Sequence, residues 1–406
     1  MTAPRVLVTG MGCVSGLGRG VAANWRRARS SDGAIRALAS PATAGIAAWT
    51  QEPPGDEVRF PGVEADRLRR LGRLDPLSAF ALEAAIEAVA DAGLGGHPSL
   101  AHRTAILVGC GSGGNATIET AYERLFAHGQ PKVHPQTIPS SMIAAPAAHL
   151  SMLLGVHGAA FTLSSACASS AHALGEAMHM IRAGRADVVI AGGSEACLTL
   201  GSLTGWRSLG VLASDTCRPF SRDRKGMVLG EGAAILVLES EDHALARGAR
   251  ILGELAGYGL SSDAGHMTAP DVAGIAAAIL AAHEDAGLAL DEPILYSSHG
   301  TGTALNDPAE TAALHRVYGA SLSRHRVIAT KSAHGHMIGA TGAMEFLLGL
   351  LALREGAPPP ILNHLGPDPD CDLPLVLESQ TFEPDALVSA SIAFGGLNAV
   401  LIGRRA

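Results

Sequence analysis

The sequence predicts an α/β fold, because short β-rich runs alternate with Ala-rich helical segments along the chain. Residues 104–108 and 187–191 are apolar runs that end in glycine, which is typical of buried strands. Residues 5–9 form an earlier β-rich run, and residues 77–91 then carry Ala, Leu and Ile at helical spacing. Strand, helix and strand in this order indicate alternating layers.

A weak internal repeat predicts two related halves. Residues 161–170 resemble residues 327–336, and both segments are consistent with a strand, a polar loop and a helix rich in small residues. We place the joint between the halves in the charged, helix-prone stretch 239–248. This gives an N-terminal half of residues 1–245 and a C-terminal half of residues 246–406.

Composition and charge exclude several classes of function. The chain has 406 residues, 47% of them hydrophobic, so it can bury a large core. The formal net charge of −8 and the lack of a long run of Lys or Arg argue against nucleic acid as a partner. The apolar run 346–353 is too short to span a membrane, and residues 1–10 lack the zones of a signal peptide. We therefore expect a cytoplasmic protein without membrane insertion.

Six cysteines without a C-x-x-C pair favour neither a zinc finger nor a disulfide framework, and we predict no metal site. Cys167 differs from the others because it lies among small residues, Ser164-Ser-Ala-Cys-Ala-Ser-Ser, directly before a predicted helix. The N–H groups and the dipole at a helix N-terminus favour a thiolate, so Cys167 is a candidate nucleophile. The alternative is a buried structural cysteine at the start of an Ala-rich helix.

Two segments with histidine follow apolar strands in the second half. His299-Gly-Thr-Gly-Thr offers an imidazole that can bind a developing negative charge, and the hydroxyls of Thr301 and Thr303. Lys331-Ser-Ala-His-Gly-His offers a cation and two imidazoles, and His336 opens a helix whose positive end keeps the ring neutral. The alternative for each histidine is a structural role, which we expect for most of the 17 in the chain.

Two glycine-rich segments also have a functional and a structural interpretation. Phe394, which two glycines follow, can move, and a backbone N–H there can complete an oxyanion pocket; the alternative is a core Phe at a strand end. The pattern Gly109-x-Gly111-x-x-Gly114 matches the dinucleotide fingerprint and follows a strand. Because so short a pattern is weak by itself, we do not expect a dinucleotide site.

The chain resembles the β-ketoacyl-acyl carrier protein synthase family, in particular its elongating type II members, in the order and context of Cys167, His299, Lys331, His336 and Phe394. The resemblance covers nearly the whole chain and includes Val8-Thr-Gly-Met-Gly-Cys-Val-Ser, Arg218-Pro-Phe-Ser-Arg-Asp-Arg, Gly230-Glu-Gly and Asn363-His-Leu-Gly-Pro-Asp-Pro-Asp. It implies a thiolase-like fold of five layers, αβαβα, with two duplicated halves, and a dimer whose active sites lie near the subunit interface. It implies no cofactor, since phosphopantetheine arrives on the carrier-protein substrate.

The same resemblance implies an acyltransferase reaction. Cys167 would accept an acyl chain from a carrier thioester, and the enolate that malonyl-carrier forms on loss of CO2 would attack the acyl-cysteine. His299 and His336 would stabilise the enolate and assist decarboxylation. Lys331 would support the site electrostatically, with Glu345 paired in that network.

Substrate contacts are implied in the same way. The backbone N–H groups of Cys167 and Phe394 would hold the thioester oxygen. The hydroxyls of Thr301 and Thr303 would contact the phosphopantetheine arm.

Three positions depart from the family's usual pattern. Leu397 replaces a threonine in the C-terminal Gly-Gly-Thr-Asn motif, so the loop there is expected to be set differently. Ser112 stands where elongating enzymes often carry a bulky aliphatic residue at the pocket floor, and Met227 stands where an aromatic residue is common. We infer a roomier or less apolar pocket and an unusual acyl group, such as a polyene or an aryl-ended chain.

Partner proteins follow from the resemblance as well. Arg69, Arg70 and Arg73 lie at helical spacing where related enzymes receive the acidic carrier protein, and a solvated basic face is the alternative. The second subunit is either another copy or a Cys-less chain-length factor beside this active chain. A non-catalytic role is disfavoured because Cys167 and both histidines are present. A thiolase is disfavoured because no second cysteine lies near Phe394.

Overall fold

The computed structural model describes residues 4–37, 49–51, 60, 63 and 65–405. The strands are β1 Val6–Ser15, β2 Gly18–Arg19, β3 Ile35–Ala37, β4 Trp49–Gln51, β5 Thr104–Gly109, β6 Ala160–Leu163, β7 Val188–Glu195, β8 Gly232–Ser240, β9 Gly253–Ser262, β10 Ile294–Ser297, β11 Arg326–Ile328, β12 Ala386–Ala393 and β13 Leu397–Arg404. The helices are α1 Val21–Ala28, α2 Ala65–Leu71, α3 Pro76–Asp91, α4 Ser99–His102, α5 Asn115–Tyr122, α6 Thr137–Ser141, α7 Ala145–Leu154, α8 Ser169–Arg182, α9 Leu200–Ser208, α10 Glu241–Ala246, α11 Val272–Ala286, α12 Asn306–Tyr318, α13 Lys331–His334 and α14 Thr341–Glu355.

Eleven strands form one mixed sheet with the same order on both sides of its centre, and β3 and β4 pair separately. Outward from β1, the N-terminal strands run β1, β8, β7, β5 and β6, and outward from β9 the C-terminal strands run β9, β13, β12, β10 and β11. In each half the first two pairings are antiparallel and the last two are parallel. A short antiparallel contact of β1 with β9, through Leu7 and Glu254, joins the halves. The two halves are therefore duplicates in topology.

Helices cover both halves and also lie between them. Helices α8 and α14 contact each other and pack against strands of both halves, so they form a middle layer. Helices α3 and α7 cover the outer face of the N-terminal strands, and α11 covers the outer face of the C-terminal strands. Alternate residues of β5 face different cores: Leu107 packs in the middle core and Ile106 in the outer one. This layering confirms the predicted thiolase-like α/β fold.

The outer helices of the two halves begin in the same way. The carboxylate of Asp75 accepts a hydrogen bond from the Leu77 amide at the start of α3, where Pro76 occupies the first helical position. The carboxylate of Asp271 accepts one from the Gly274 amide at the start of α11. These caps satisfy amide groups that the first turn of a helix leaves free.

Two short 3-10 turns open the middle helices. We call Ala166–Ala168, before α8, the Cys turn, and Ile338–Ala340, before α14, the Gly turn. The repeat in the sequence sets Cys167 opposite Ala333, but the turn equivalent to the Cys turn lies several residues later. The difference arises because the C-terminal half adds helix α13 between its strand and its turn.

The predicted joint at residues 245 and 246 falls at the end of α10, before β9 begins. This boundary between the halves stays a prediction, because α10 is a short connection that could be assigned to either half. In the described part of the chain, no helix has the length and apolar character needed to cross a membrane.

Candidate active site

The Cys turn holds Cys167 between the end of β6 and the start of α8. Ala166 has a φ of 50°, a left-handed conformation that costs an L-residue roughly 1–2 kcal/mol. The Ser169 hydroxyl stabilises this conformation, because it accepts a hydrogen bond from the Ser165 amide at 2.9 Å and donates one to the Ala166 carbonyl at 2.6 Å. The side chain of Cys167 is thereby fixed at the N-terminus of α8 and is only 5% exposed.

Two imidazoles from the C-terminal half face this sulfur. His336 Nε2 lies 3.1 Å from Cys167 Sγ, and His336 Nδ1 lies 2.9 Å from the Thr341 hydroxyl. The His299 ring stands edge-on to the His336 ring, with centroids 5.4 Å apart. One potential ligand atom from each of Cys167, His299 and His336 lies within 4.8 Å of the others. The structure therefore brings together a thiol and two imidazoles from segments far apart in sequence.

Burial decides the protonation of the thiol. Desolvation raises the pKa of Cys167 to about 11, and the positive charge of Lys331 and the Phe394 amide oppose only part of that effect. The expectation that the helix N-terminus yields a thiolate is therefore wrong for the resting site. The resting sulfur is a thiol that can donate its proton towards His336 Nε2.

The imidazoles rest in the neutral form. Desolvation, followed by the charge of Lys331, holds the pKa values of His299 and His336 well below the usual value for histidine. The sequence analysis attributed a neutral His336 to a helix end, whereas burial is the larger cause here. His334 is also neutral, with a pKa of about 3, and it binds the Thr330 hydroxyl and the Gly335 carbonyl.

Lys331 and Glu345 form a buried ion pair beside the imidazoles. Lys331 Nζ donates to both carboxylate oxygens of Glu345, at 2.7 and 2.8 Å, and neither side chain is exposed. Burial raises the pKa of Glu345 to about 7 although Lys331 opposes that effect. The pair places a positive charge close to the reacting groups without leaving it unpaired.

Two buried carboxylates shape the His299 loop. Glu310 accepts hydrogen bonds from the amides of His299 and Gly300 at 2.7 and 2.9 Å. Asp307 accepts from the Gly302 amide at 3.1 Å and from the Phe220 amide at 2.7 Å. Both carboxylates belong to α12, so this helix fixes the loop that carries His299.

Backbone amides also face the sulfur. The N–H groups of Phe394 and of Cys167 itself lie close enough to Sγ to favour its negative charge. Phe394 follows β12, and its ring lies 5.9 Å from the ring of Trp206 on α9. Two N–H groups at one point can bind an oxyanion that forms on a carbonyl attached to the sulfur.

A cavity of about 470 Å³ leads to Cys167. The predicted residues His299, Thr301, Thr303, His336, Met227 and Phe394 are in its lining. The hydroxyls of Thr301 and Thr303 lie 2.9 Å apart. A long, thin substrate can therefore reach the sulfur past two hydroxyl groups.

The glycines of the dinucleotide pattern pack against protein. A Cβ on Gly109 would lie 2.3 Å from the backbone of Ser169, and one on Gly111 would lie 2.7 Å from Ile338. A Cβ on Gly114 would lie 2.6 Å from Ser141. These glycines let β5 and its loop approach other segments closely, so the space that a pyrophosphate needs is filled.

Ser112 does not line the cavity of Cys167 and its side chain is exposed in the single chain. The hydroxyl of Ser112 bonds to Glu195, a fully buried carboxylate that also accepts from the amides of Gly111 and Gly339. The prediction that Ser112 forms a wall of this cavity is therefore not met within one chain, because Glu195 draws the side chain away.

The structure places the three predicted docking arginines apart from the cavity. Arg69 and Arg70 are exposed on α2, where Arg69 pairs with Asp66, and Arg73 is half-buried after that helix. None of them lines the cavity of Cys167. Leu397, one of the three departures from the family's usual pattern, begins β13 directly after Gly395 and Gly396.

Several site residues escaped the sequence analysis. Lys225 and Arg224 line the cavity, and Arg224 donates to the Thr303 carbonyl at 3.1 Å. Arg224 ends the Arg218-Pro-Phe-Ser-Arg-Asp-Arg stretch that carried the resemblance, and Lys225 follows it directly, so this stretch was the available signal. Nothing in the local sequence marked Trp206 or Thr341.

Comparison with known proteins identifies the family. Residues 3–244 match the family model "Beta-ketoacyl synthase, N-terminal domain", and residues 252–364 match "Beta-ketoacyl synthase, C-terminal domain". The chain belongs to the β-ketoacyl synthase family. The resemblance stated from the sequence is thereby confirmed.

Individual relatives agree over the full length. Nodulation protein E of Rhizobium leguminosarum bv. trifolii is 42% identical over 402 residues, which is 99% of each chain. The 3-oxoacyl-[acyl-carrier-protein] synthase 2 of Staphylococcus aureus (strain COL) is 34% identical, over 99% of this chain and 98% of the relative. The solved structure of the ishigamide ketosynthase/chain length factor matches with a TM-score of 0.92 and 35% identity over the whole of both chains.

These matches establish the β-ketoacyl synthase as an acyltransferase that forms carbon–carbon bonds, as predicted. They also confirm the thiolase-like fold.

Proposed function

We propose that this β-ketoacyl synthase elongates an acyl chain held on Cys167 with the two-carbon unit of malonyl-carrier. The observation that carries the proposal is the 3.1 Å contact of Cys167 Sγ with His336 Nε2, next to a second neutral imidazole. A nucleophile, a base and two potential enolate ligands are then present at the end of one cavity.

The acyl-transfer step uses His336 as the base. As Sγ attacks the thioester carbonyl, the thiol proton passes to His336 Nε2 and then to the departing carrier thiol, so the protons balance. The N–H groups of Cys167 and Phe394 bind the oxyanion of the tetrahedral intermediate. The Thr341 hydroxyl orients the ring through Nδ1.

The condensation step uses both imidazoles as donors. The C–C bond to the malonyl carboxylate breaks and releases CO2, and the electron pair forms an enolate whose oxygen accepts hydrogen bonds from His299 and His336. His336 donates from Nε2 in the tautomer in which Nδ1 accepts from the Thr341 hydroxyl. The enolate carbon attacks the acyl-cysteine carbonyl, the C–S bond breaks, and the sulfur takes up one proton from solvent to restore the thiol. Burial, with the charge of Lys331 as the second cause, keeps both rings neutral, which suits donors to an enolate.

Carrier protein and subunit partner complete the proposal. We expect the carrier to dock with Arg69, Arg70 and Arg73, and its phosphopantetheine arm to pass Thr301 and Thr303. Wild-type carrier affinity in an Arg69→Glu, Arg70→Glu protein would instead favour a merely solvated basic face.

The second subunit is a further copy or a chain-length factor without the cysteine. The heteromeric alternative is favoured by the similarity to the ishigamide ketosynthase/chain length factor. Sedimentation and product assay of the chain alone separate the two, because only the homodimer is active by itself.

The substrate proposal is an unusual acyl group such as a polyene or an aryl-ended chain. Met227 in the cavity lining, where an aromatic residue is common, supports a wider pocket. Met227→Phe adds an aromatic ring to the lining of the cavity that leads to Cys167. We expect shorter products from this variant, and unchanged product length would remove the support.

We also propose that the synthase acts in the cytoplasm and needs no cofactor of its own. Fractionation of cells tests the location. Full activity after dialysis against a chelator and gel filtration tests the second point.

The deciding experiment gives the purified protein a panel of acyl-carriers with malonyl-carrier and measures β-ketoacyl-carrier by mass spectrometry. Wild type and the matched variant Cys217→Ser, which alters another fully buried cysteine, are expected to make product. Cys167→Ser is expected to make almost none. Product at the wild-type rate from Cys167→Ser would overturn the proposal.

A further inference from the structure

We propose that Cys167, His299 and His336 also bind a soft divalent cation such as Zn²⁺, which inhibits the synthase by occupying its nucleophile. Sulfur and imidazole nitrogen are the donors that zinc prefers. Within residues 4–37, 49–51, 60, 63 and 65–405, this is the one group of at least three such side chains whose ligand atoms converge, and all three are buried. The sequence analysis predicted no metal, and the present site is inhibitory rather than a cofactor site.

The spacing of the three ligand atoms is close to that of a tetrahedral zinc site. Zinc–sulfur and zinc–nitrogen bonds of about 2.3 and 2.0 Å place neighbouring ligand atoms roughly 3.3–3.5 Å apart. The ligand atoms of the triad lie within 4.8 Å of one another, and the Cys167–His336 contact is 3.1 Å. Small rotations about side-chain bonds therefore suffice to close the site around an ion.

Neighbouring groups fix the ring of His336 and leave the ring of His299 free to rotate. The Thr341 hydroxyl binds His336 Nδ1, the kind of outer contact that orients metal-binding imidazoles. Nδ1 of His299 has no hydrogen-bond partner among the described residues, so turning this ring breaks no such bond. Lys331 would repel a cation, but Glu345 neutralises it through two short hydrogen bonds.

The cavity supplies access and the fourth ligand. An ion can enter through the space that leads to Cys167, and water there can complete a four-coordinate site with one open position. Binding displaces the thiol proton to solvent as the zinc–sulfur bond forms. A sulfur that carries an acyl group cannot provide a thiolate, so the acyl-enzyme is protected. The ion should consequently compete with the acyl-carrier and not with malonyl-carrier.

The test uses the metals alone on the resting protein. Titration with Cd²⁺ is expected to produce the ultraviolet charge-transfer band of a cadmium–thiolate bond at one equivalent, and Zn²⁺ is expected to remove it by displacement. Cys167→Ala should abolish the band. Thr341→Val should weaken Zn²⁺ binding by roughly 10-fold, because the outer contact to His336 is lost. Binding should disappear after Cys167 is acylated.

Two control variants detect metal binding at sites other than the triad. Cys371→Ala removes a buried cysteine outside the triad, and His128→Ala removes an exposed histidine. Both should bind Cd²⁺ as wild type does. A band of unchanged size in Cys167→Ala, or no band in wild type at millimolar Cd²⁺, would overturn the proposal. Because these readouts need no carrier substrate, they fail or succeed independently of the condensation reaction.

Discussion

The Cys turn and the Gly turn occupy equivalent places in the two halves, yet only the first carries a reactive group. Both open a middle helix, and the residue before the central position has a positive φ in each, 50° at Ala166 and 43° at Ile338. The central residue is Cys167 in one turn and Gly339 in the other. The duplicated scaffold therefore supplies the same strained turn twice, and its chemistry depends on one side chain.

The segments before the two turns differ more than the turns do. In the N-terminal half only residues 164–165 separate β6 from the Cys turn, whereas residues 329–337 separate β11 from the Gly turn. This longer connection holds Lys331, His334 and His336. In the proposed mechanism, one half thus provides the nucleophile and the other provides the groups that act on it.

The largest expected effects come from changing the two central residues. Cys167→Ala should lower elongation by at least ~1,000-fold with little change in stability, because it removes the nucleophile alone. Gly339→Ala should instead lower the free energy of unfolding by about 1–3 kcal/mol, since the new Cβ would lie 2.4 Å from the Gly111 amide. Product assays and urea denaturation measure both. A fully stable Gly339→Ala protein would break the comparison.

The buried ion pair of the C-terminal half provides the next effect. Lys331→Met leaves the Glu345 carboxylate buried without its partner and should cost about 3–5 kcal/mol of unfolding free energy. The control is Arg29→Met, which breaks the exposed Arg29–Glu355 pair and should cost about 1 kcal/mol or less. Equal losses of unfolding free energy in Lys331→Met and Arg29→Met would show that burial does not increase the contribution of the Lys331–Glu345 pair to stability.

A third effect concerns the pH dependence of stability and His334, which lies in the connection between β11 and the Gly turn. The pKa of His334 is about 3 in the folded chain, below its unfolded value of about 6.5, so only the unfolded chain takes up a proton between these values. Stability should therefore fall as pH drops from about 6.5 towards 3, by up to ~1.4 kcal/mol per pH unit from this group. His334→Gln should remove that part of the slope in urea denaturation.

His128→Gln, at an exposed position, is the control for the His-to-Gln substitution itself. If His334→Gln and the wild-type protein show the same dependence on pH, the buried histidine is not the cause.

The smallest effect should come from the support of the Cys turn. Ser169→Ala removes two hydrogen bonds that hold Ala166 and should slow acylation of Cys167 by ~10-fold or less. Ser170→Ala removes a bond to the Ala343 amide on α14 and should affect stability more than acylation. Acylation rates from quenched reactions distinguish the two variants. Equal rates in Ser169→Ala and Ser170→Ala would mean that the Cys turn does not need the hydrogen bonds of Ser169.

The sequence predicted more of the site than of its surroundings. Cys167, His299 and His336 lie in short segments with a strand before them, which local patterns reveal. Glu310 and Thr341 act through contacts that form only when the chain folds, so no local pattern marks them. The protonation of Cys167 was misjudged for the same reason, because burial raises its pKa by more than Lys331 and the nearby amides lower it.

The fold shows a similar boundary between what can and cannot be predicted. The alternation of strands and helices and the duplication were visible in the sequence. The repeat did not reveal the additional segment that contains α13. Residues 327–336 resemble residues 161–170, so the sequence comparison aligned this additional segment with the Cys turn. Ser112 shows the limit for side chains, since its direction depends on Glu195, a residue distant in sequence.

The most direct test of the account is to trap the acyl-enzyme and locate the acyl group. Wild-type protein incubated with an acyl-carrier, without malonyl-carrier, should gain the mass of one acyl group, and peptide mapping should place it on Cys167. Addition of malonyl-carrier should then remove it as β-ketoacyl-carrier. An acyl group on another residue, or elongation without any acylation of Cys167, would contradict the account.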